Sequence, residues 1–279
     1  MPVRPARADD DLAALIDRVD RRSGYEALTE AALLAIEAGE GTTAIAEESG
    51  RLEGLGHRYS DHGRDVAETA VLPSVRARHA GPLLDALVAP GEDVWIWASD
   101  VETDVAARAR GFEERRRLLE LVRPLPIDEE PRFPSGVAVD TFTPDADEDE
   151  LIRVNNAAFE GHPDNSSWDR AELAERMARA WFRPEDIAIA SIDGAMVGFC
   201  WTKLHPGDVG EIYVIGVHPD AQGMGLGRAL VLQGLDHMHR DRGATSGILY
   251  TEADNTGARA LYESLGFGEL RVQRGLSRG

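Results

Sequence analysis

The segment Gln222-Gly223-Met224-Gly225-Leu226-Gly227-Arg228 constrains this chain more than any other, because it joins an apolar strand to an amphipathic helix. Glu211-Ile212-Tyr213-Val214-Ile215-Gly216-Val217 reads as a strand from its β-branched and aromatic content, and His218-Pro219-Asp220 as the turn that ends it. Apolar residues then recur at helical spacing over 226–238. Without a Cβ at Gly223, Gly225 and Gly227 the backbone can approach a ligand closely, and the unpaired N–H groups of the first helical turn point at it. A pyrophosphate suits such a helix start.

At 279 residues the chain suits two domains of about 140 residues, each large enough to bury a core unaided. Residues 124–136 hold four prolines and no amphipathic period, and read as the linker between a first domain at 1–123 and a second at 137–279. The first half predicts helices near 9–22 and 28–38 and strands at 42–47, 51–60 and 65–72, then helix, strand, helix and strand. The second half repeats the succession, with a strand near 137–142, helices near 147–159 and 168–180, and strands near 187–193, 196–204 and 210–217. Val71-Leu72-Pro73 answers Val217-His218-Pro219, and Arg110-Gly111-Phe112 answers Leu265-Gly266-Phe267, as an internal duplication would leave them. Against the glycine-rich loop the first half sets Arg76-Ala77-Arg78-His79-Ala80-Gly81, which keeps only the last glycine. Side chains at 77 and 79 obstruct a close backbone approach there.

No apolar run reaches the roughly 20 residues a bilayer crossing needs, and Met1-Pro2-Val3-Arg4-Pro5-Ala6-Arg7 has no apolar signal core, so a cytoplasmic protein is expected. Cys200 is the single cysteine, which rules out an intramolecular disulfide. Within Val197-Gly198-Phe199-Cys200-Trp201 it reads as a small buried hydrophobe. A formal net charge of −20 disfavours nucleic acid and obliges any phosphate-bearing ligand to rely on donors at contact range, for which Arg228 and Arg259 are placed. His237 and His239 lie two apart on a helix, hence on different faces, and no metal is expected.

The glycines do not follow the dinucleotide pattern G-x-G-x-x-G with its acidic residue about 20 positions on, and no Walker-type Gly-Lys-Ser/Thr is present. Gln222-Gly223-Met224-Gly225-Leu226-Gly227 instead resembles the Gln/Arg-x-x-Gly-x-Gly/Ala loop of the Gcn5-related N-acetyltransferase (GNAT) superfamily. Asp254-Asn255-Thr256-Gly257-Ala258-Arg259-Ala260-Leu261-Tyr262-Glu263-Ser264-Leu265-Gly266-Phe267 resembles that superfamily's Asn-x-x-Ala-x-x-Leu-Tyr-x-x-x-Gly-Phe ending. The resemblance implies an α/β fold with a mixed sheet, here as two tandem GNAT-type domains, and acetyl-CoA as donor. It puts the donor along Ile215, Gly216 and Val217, on the loop Gln222, Gly223, Met224, Gly225, Leu226, Gly227 and Arg228, and at Asn255, Thr256, Gly257, Ala258, Arg259 and Ala260. Thr69, Ala70 and Val71 hold the corresponding place in the first half.

Arg153-Val154-Asn155-Asn156-Ala157-Ala158-Phe159, His162-Pro163, Trp168, Ala180-Trp181-Phe182 and Phe199-Cys200-Trp201-Thr202-Lys203-Leu204-His205-Pro206 are similar to the mycothiol synthase family of actinobacteria. Its members are also tandem acetyltransferase domains, and they acetylate the cysteinyl amine of Cys-GlcN-Ins, a cysteinyl glucosaminyl inositol. Carried over by position, the resemblance makes Glu211 the general base, acting through water, and Tyr262 the acid that protonates the departing CoA thiolate. Lys203, Tyr250, Asp164 and Glu211 become acceptor contacts in the second half, and Glu30 one from the first. A monomer is expected.

The chemistry stands beside the resemblance. An α-amino group titrates near 7.7 to 8, so neutralising it at pH 7 costs only about 1 kcal/mol and a carboxylate is base enough. Each residue also has a purely structural reading: Glu211 as a strand-edge charge, Tyr262, Tyr250 and Trp201 as core, Lys203 as a surface lysine. Two other functions stay open, acetyl transfer to another small amine or a peptide N-terminus, and a CoA-binding module without turnover.

Overall fold

The structure is a computed structural model and describes residues 3–160 and 168–279. It divides into two compact units, Met1–Leu119 with Arg271–Gly279, and Glu120–Leu270. Each is a sheet with helices on both faces.

In the first unit β1 (Val3–Pro5), α1 (Leu12–Ser23) and α2 (Glu30–Ala38) precede the meander β2 (Thr42–Glu48), β3 (Arg51–Asp61) and β4 (Arg64–Val71). Then come α3 (Arg76–Leu87), β5 (Trp95–Ala98), α4 (Val101–Arg108) and β6 (Glu113–Pro124), whose residues from Glu120 onward belong to the second unit. The core fills both faces of the sheet. Leu15, Val19, Ala32, Ile45, Leu55 and Val66 pack under α1 and α2. Ala46, Ala67, Leu83, Leu84, Ile96 and Phe112 pack under α3 and α4.

The second unit repeats the order. It contains β7 (Val137–Thr141), α5 (Glu148–Ala158), α6 (Arg170–Met177), β8 (Ile187–Ile192), β9 (Ala195–His205), β10 (Val209–Val217), α7 (Leu226–Arg240), β11 (Ser246–Glu252) and α8 (Thr256–Ser264). Its strands lie in the order β6-β11-β10-β9-β8-β7, with β10 and β11 parallel and β7 to β10 antiparallel. One face carries α7, whose Leu226, Ala229, Leu230, Val231, Leu235 and Met238 are buried. The helix seats closely because of Gly234: a Cβ there would stand 2.7 Å from Cys200 Sγ. The other face carries Phe142, Leu151, Trp168, Leu173, Phe199 and Trp201.

The expected boundaries differ from this division at both ends. The last strand, β12 (Gly268–Ser277), pairs antiparallel with β5 of the first unit, Arg274 with Ala98, Gly275 with Trp97 and Leu276 with Ile96. It covers a strand edge that would otherwise be unpaired, and Leu276 is wholly buried in that unit's core. Gly275 is obligatory there, since a Cβ would stand 2.3 Å from the Trp95 ring. The proline-rich stretch, in turn, packs within the second unit: Leu125 N–H donates to the Thr245 carbonyl at 2.9 Å, and Glu129 pairs with Arg228.

Candidate active site of the second unit

The register of β10 builds the site. Its parallel pairing with β11 runs from Val209 opposite Ser246 to Ile212 opposite Leu249 and goes no further, while its pairing with β9 continues to Val217. A bulge at Tyr213 marks the divergence: Ile212 faces Thr202 and Val214 faces Trp201, leaving one extra residue on β10. Beyond it, Ile215, Gly216 and Val217 keep β9 on one side and lose β11 on the other, which leaves backbone groups of a central strand facing a gap. Gly216 has a packing reason as well, since a Cβ would stand 2.8 Å from the Phe199 ring.

At the end of that strand the loop turns on Gly223 (φ +78°) and Gly225 (φ +85°), both left-handed and both with open space where a Cβ would be. Gly225 is the N-cap of α7 and offers no side chain to its first turn, whereas Asp11, Thr29, Asp100, Asp169 and Asn255 each accept an N–H bond from the helix they cap. The first-turn amides of this long helix therefore remain for a ligand, and an anion is the group they favour. Gly227 is already helical, and a Cβ there would make only ordinary contact with Leu261 at 3.7 Å.

Two cations expected to help the loop are otherwise engaged. Arg228 forks onto Glu129 at 2.9 and 2.6 Å and reaches Ser264 Oγ at 2.8 Å. Arg259 donates to the Ala253 carbonyl at 2.9 Å and lies 3.7 Å from Glu263. What the loop offers an anion is backbone. Asn255 caps α8 through a 3.1 Å bond from Ala258 N–H, which fixes Thr256, Gly257, Ala258, Arg259 and Ala260 in its first turns.

Glu211 lies on β10 just before the divergence, directly opposite Lys203 of β9, and is 7% exposed. Its Oε2 is 2.5 Å from His205 Nε2. Lys203 Nζ sits 5.1 Å above the Trp181 ring and 5.6 Å above Tyr213, a cation held over two aromatic faces. Trp181 and Tyr213 both contact Trp201, at 5.9 and 5.5 Å between centroids. Trp201, Lys203 and His205 alternate along β9 and so share one face, opposite to the Cys200 and Thr202 that meet α7. Tyr250 is half-buried on β11.

Tyr262, on α8, is 7% exposed and packs edge-on against Phe267 at 6.0 Å. Burial pushes its phenol up to about 12, so it stays protonated at neutral pH. Among the described residues its hydroxyl has no hydrogen-bond partner and is free to donate to a ligand. Cys200 is wholly buried and its thiol is pushed up to about 12 as well, in keeping with the packing reading. Asp164 lies outside the described residues, as do His162 and Pro163.

The first unit departs from this arrangement where the sequence suggested decay. Arg76, which corresponds to Gln222, is already the first residue of α3, so the positions matching the loop are wound into helix. The Arg76 guanidinium donates to the Val71 carbonyl at 3.0 Å and to Ser23, and sits 3.7 Å from Asp100. Thr69, Ala70 and Val71 are 3%, 0% and 1% exposed, and the Thr69 hydroxyl is paired with that of Thr103. Glu30 opens α2 directly after its cap Thr29, whose N–H and hydroxyl both bond the buried Glu68 carboxyl.

The sequence reading missed His205 as the partner of Glu211 and the ring pair under Lys203. The alternation of Trp201, Lys203 and His205, followed by a short turn and Glu211, was the available signal.

The chain matches the family model described as the acetyltransferase (GNAT) family over residues 149–267. It is 40% identical over 267 residues to the mycothiol acetyltransferase of Thermomonospora curvata, covering 93% of this chain and 90% of that one. To that of Nocardia farcinica it is 39% identical, covering 94% and 91%. Among solved structures, a GCN5-related N-acetyltransferase from Sphaerobacter thermophilus shares the fold with a TM-score of 0.70 at 21% identity, covering 99% of this chain and 94% of that one. A tandem GNAT protein from the clavulanic acid biosynthesis pathway does so at 0.69 and 15%, covering 100% and 98%.

Proposed function

The chain belongs to the mycothiol acetyltransferases of the GNAT family, and from that premise we propose that its second unit moves the acetyl group of acetyl-CoA onto the cysteinyl amine of Cys-GlcN-Ins. The observation that carries the site assignment is the break in pairing between β10 and β11 beside a buried carboxylate. It leaves backbone groups of a central strand open to an amide-bearing arm, next to a helix start that has no cap of its own.

On this reading Ile215, Gly216 and Val217 hydrogen-bond the pantetheine arm, and the amides following Gly223 and Gly225 hold the pyrophosphate. The α8 start at Asn255 bounds the donor on its far side. Lys203 and Tyr250 contact the acceptor in the second unit, and Asp164 and Glu30 are assigned to it by the resemblance alone.

Glu211 removes the proton from the acceptor ammonium through water. The demand is small, because an α-amine titrating near 7.7 to 8 is about a tenth neutral at pH 7 already. The nitrogen lone pair then attacks the thioester carbonyl, the C–S bond breaks, and the electron pair leaves on sulfur. The second proton on nitrogen is released as the amide forms, and sulfur takes up one.

Tyr262 serves the sulfur side of the reaction. A phenol pushed up to about 12 is fully protonated at pH 7. It is also a weaker acid than an ordinary thiol near 8.5, so complete transfer to a free thiolate would be uphill by roughly 5 kcal/mol. Its contribution is a hydrogen bond to the sulfur as charge develops, with transfer completed only as the amide nitrogen gives up its proton.

The amine to be acetylated is tested by measuring CoA release with Cys-GlcN-Ins against glucosaminyl inositol lacking the cysteine. Turnover confined to the cysteinyl compound supports the proposal. Equal turnover, or none with either, refutes it.

A further inference from the structure

His205, which the reaction scheme above leaves without a role, pairs with the base Glu211. His205 Nε2 and Glu211 Oε2 are 2.5 Å apart, and the two side chains retain only 11% and 9% of their exposure. The contact is built by the hairpin. Gly207 and Asp208, both with positive φ, turn β9 into β10 so that His205 lies opposite Val209 and Lys203 opposite Glu211. His205 and Glu211 are thus diagonal neighbours on one face of the sheet, near enough for an imidazole to reach a carboxylate.

We infer that His205 is a positioning residue for Glu211: its Nε2–H donates to Oε2, holds that oxygen, and leaves Oε1 as the one that takes the acceptor's proton. This inference rests on the assignment of Glu211 as the base. The chemistry sets the direction of the bond. A carboxylate able to accept a proton is acceptor-only, so the imidazole must be the donor. A buried carboxylate with two equivalent free oxygens would rotate about its last torsion. Tying one oxygen removes that freedom, and a hydrogen bond to a charged group is among the stronger ones available. Lys203 occupies the neighbouring position on the same face and stands over Trp181 and Tyr213, while His205 Nε2 meets the Glu211 carboxylate directly.

Three variants test the assignment in the full-length protein. His205→Gln puts an amide N–H near the place of Nε2–H, and kcat should stay within about threefold of the parent. His205→Phe keeps a ring without the donor, and kcat should fall about 10- to 100-fold, with the KM for acetyl-CoA unchanged. In a Glu211→Gln background, the same His205→Phe change should cost less than about twofold, because the group it serves is gone. Equal loss in both backgrounds, or no rescue by glutamine, assigns His205 a structural role and overturns the inference.

A readout independent of turnover separates this from the function itself. In ¹⁵N-histidine spectra, His205 should be the Nε2–H tautomer with a far-downfield proton that shifts in Glu211→Gln and persists in Tyr262→Phe. An unprotonated Nε2 would place the proton on Glu211 and overturn the inference, whichever amine the enzyme acetylates. Failure to acetylate Cys-GlcN-Ins with these spectra intact would instead refute only the acceptor assignment.

Discussion

Replacing Tyr262 by phenylalanine separates chemistry from packing more cleanly than any other change. The ring lies edge-on to Phe267 at 6.0 Å, and the residue is 7% exposed, so phenylalanine keeps the buried area and the aromatic contact. Because the hydroxyl bonds to none of the described residues, its removal strands no partner. The cost to stability should therefore stay within about 0.5 kcal/mol, a melting shift below about 2 °C for a chain of this size. In the role proposed for Tyr262 the reaction loses a donor to developing charge on sulfur, worth about 1.5 to 3 kcal/mol, which predicts kcat lower by about 10- to 100-fold. The KM for acetyl-CoA should not move, since the bond is made as the thiolate forms. Steady-state kinetics with a thiol reporter, run beside thermal denaturation, measures both. A kcat within threefold of the parent, or a melting loss of several degrees, would refute the role given to the phenol.

Gly225→Ala forces a side chain into a left-handed φ of +85° at the α7 cap and should raise the KM for acetyl-CoA several-fold, with kcat nearly kept and a stability loss of about 1 kcal/mol. Cys200, wholly buried with its thiol pushed up to about 12, should resist a maleimide in the folded protein and react only at the rate of unfolding, read by intact mass. Glu68 is held above the usual carboxylate range by its complete burial, and its raised folded value means stability present below the unfolded value near 4.3 and lost as pH rises. Wild type should therefore lose stability relative to Glu68→Gln as pH rises above the unfolded carboxylate value, and urea midpoints showing the opposite trend would contradict this.

Much of the arrangement was legible in the chain because it rests on local signals. The strand 211–217, the two positive-φ glycines and the amphipathic run after them specify a strand, an uncapped turn and a helix, and the structure has all three. The mixed α/β fold and the repeated order of elements follow from the same periodicities. Three features depend on pairing that only the folded chain makes and left faint signals at most. The pairing of β12 with β5 depends on a strand edge more than a hundred residues away in sequence, and only Gly275 hints at it, by leaving room for Trp95. Arg228 is placed to meet a phosphate, yet its fork is taken by Glu129 from the proline-rich stretch. The His205–Glu211 pair needs the register of a hairpin, which the sequence allows but does not number. In the first half, absent glycines forecast a lost cradle; that α3 would begin at Arg76 and absorb the loop entirely is a consequence of packing.

Cys-GlcN-Ins offers both a thiol and an amine to the incoming acetyl group, and Glu211 as the proposed base serves the amine. Incubating the enzyme with isotope-labelled acetyl-CoA and Cys-GlcN-Ins, quenching in acid at early turnover and locating the label by tandem mass spectrometry distinguishes them. Label is expected on the cysteinyl nitrogen from the first turnover, stable to hydroxylamine, with its rate strongly reduced in Glu211→Gln. Label on sulfur, or an unchanged rate in that variant, would contradict it.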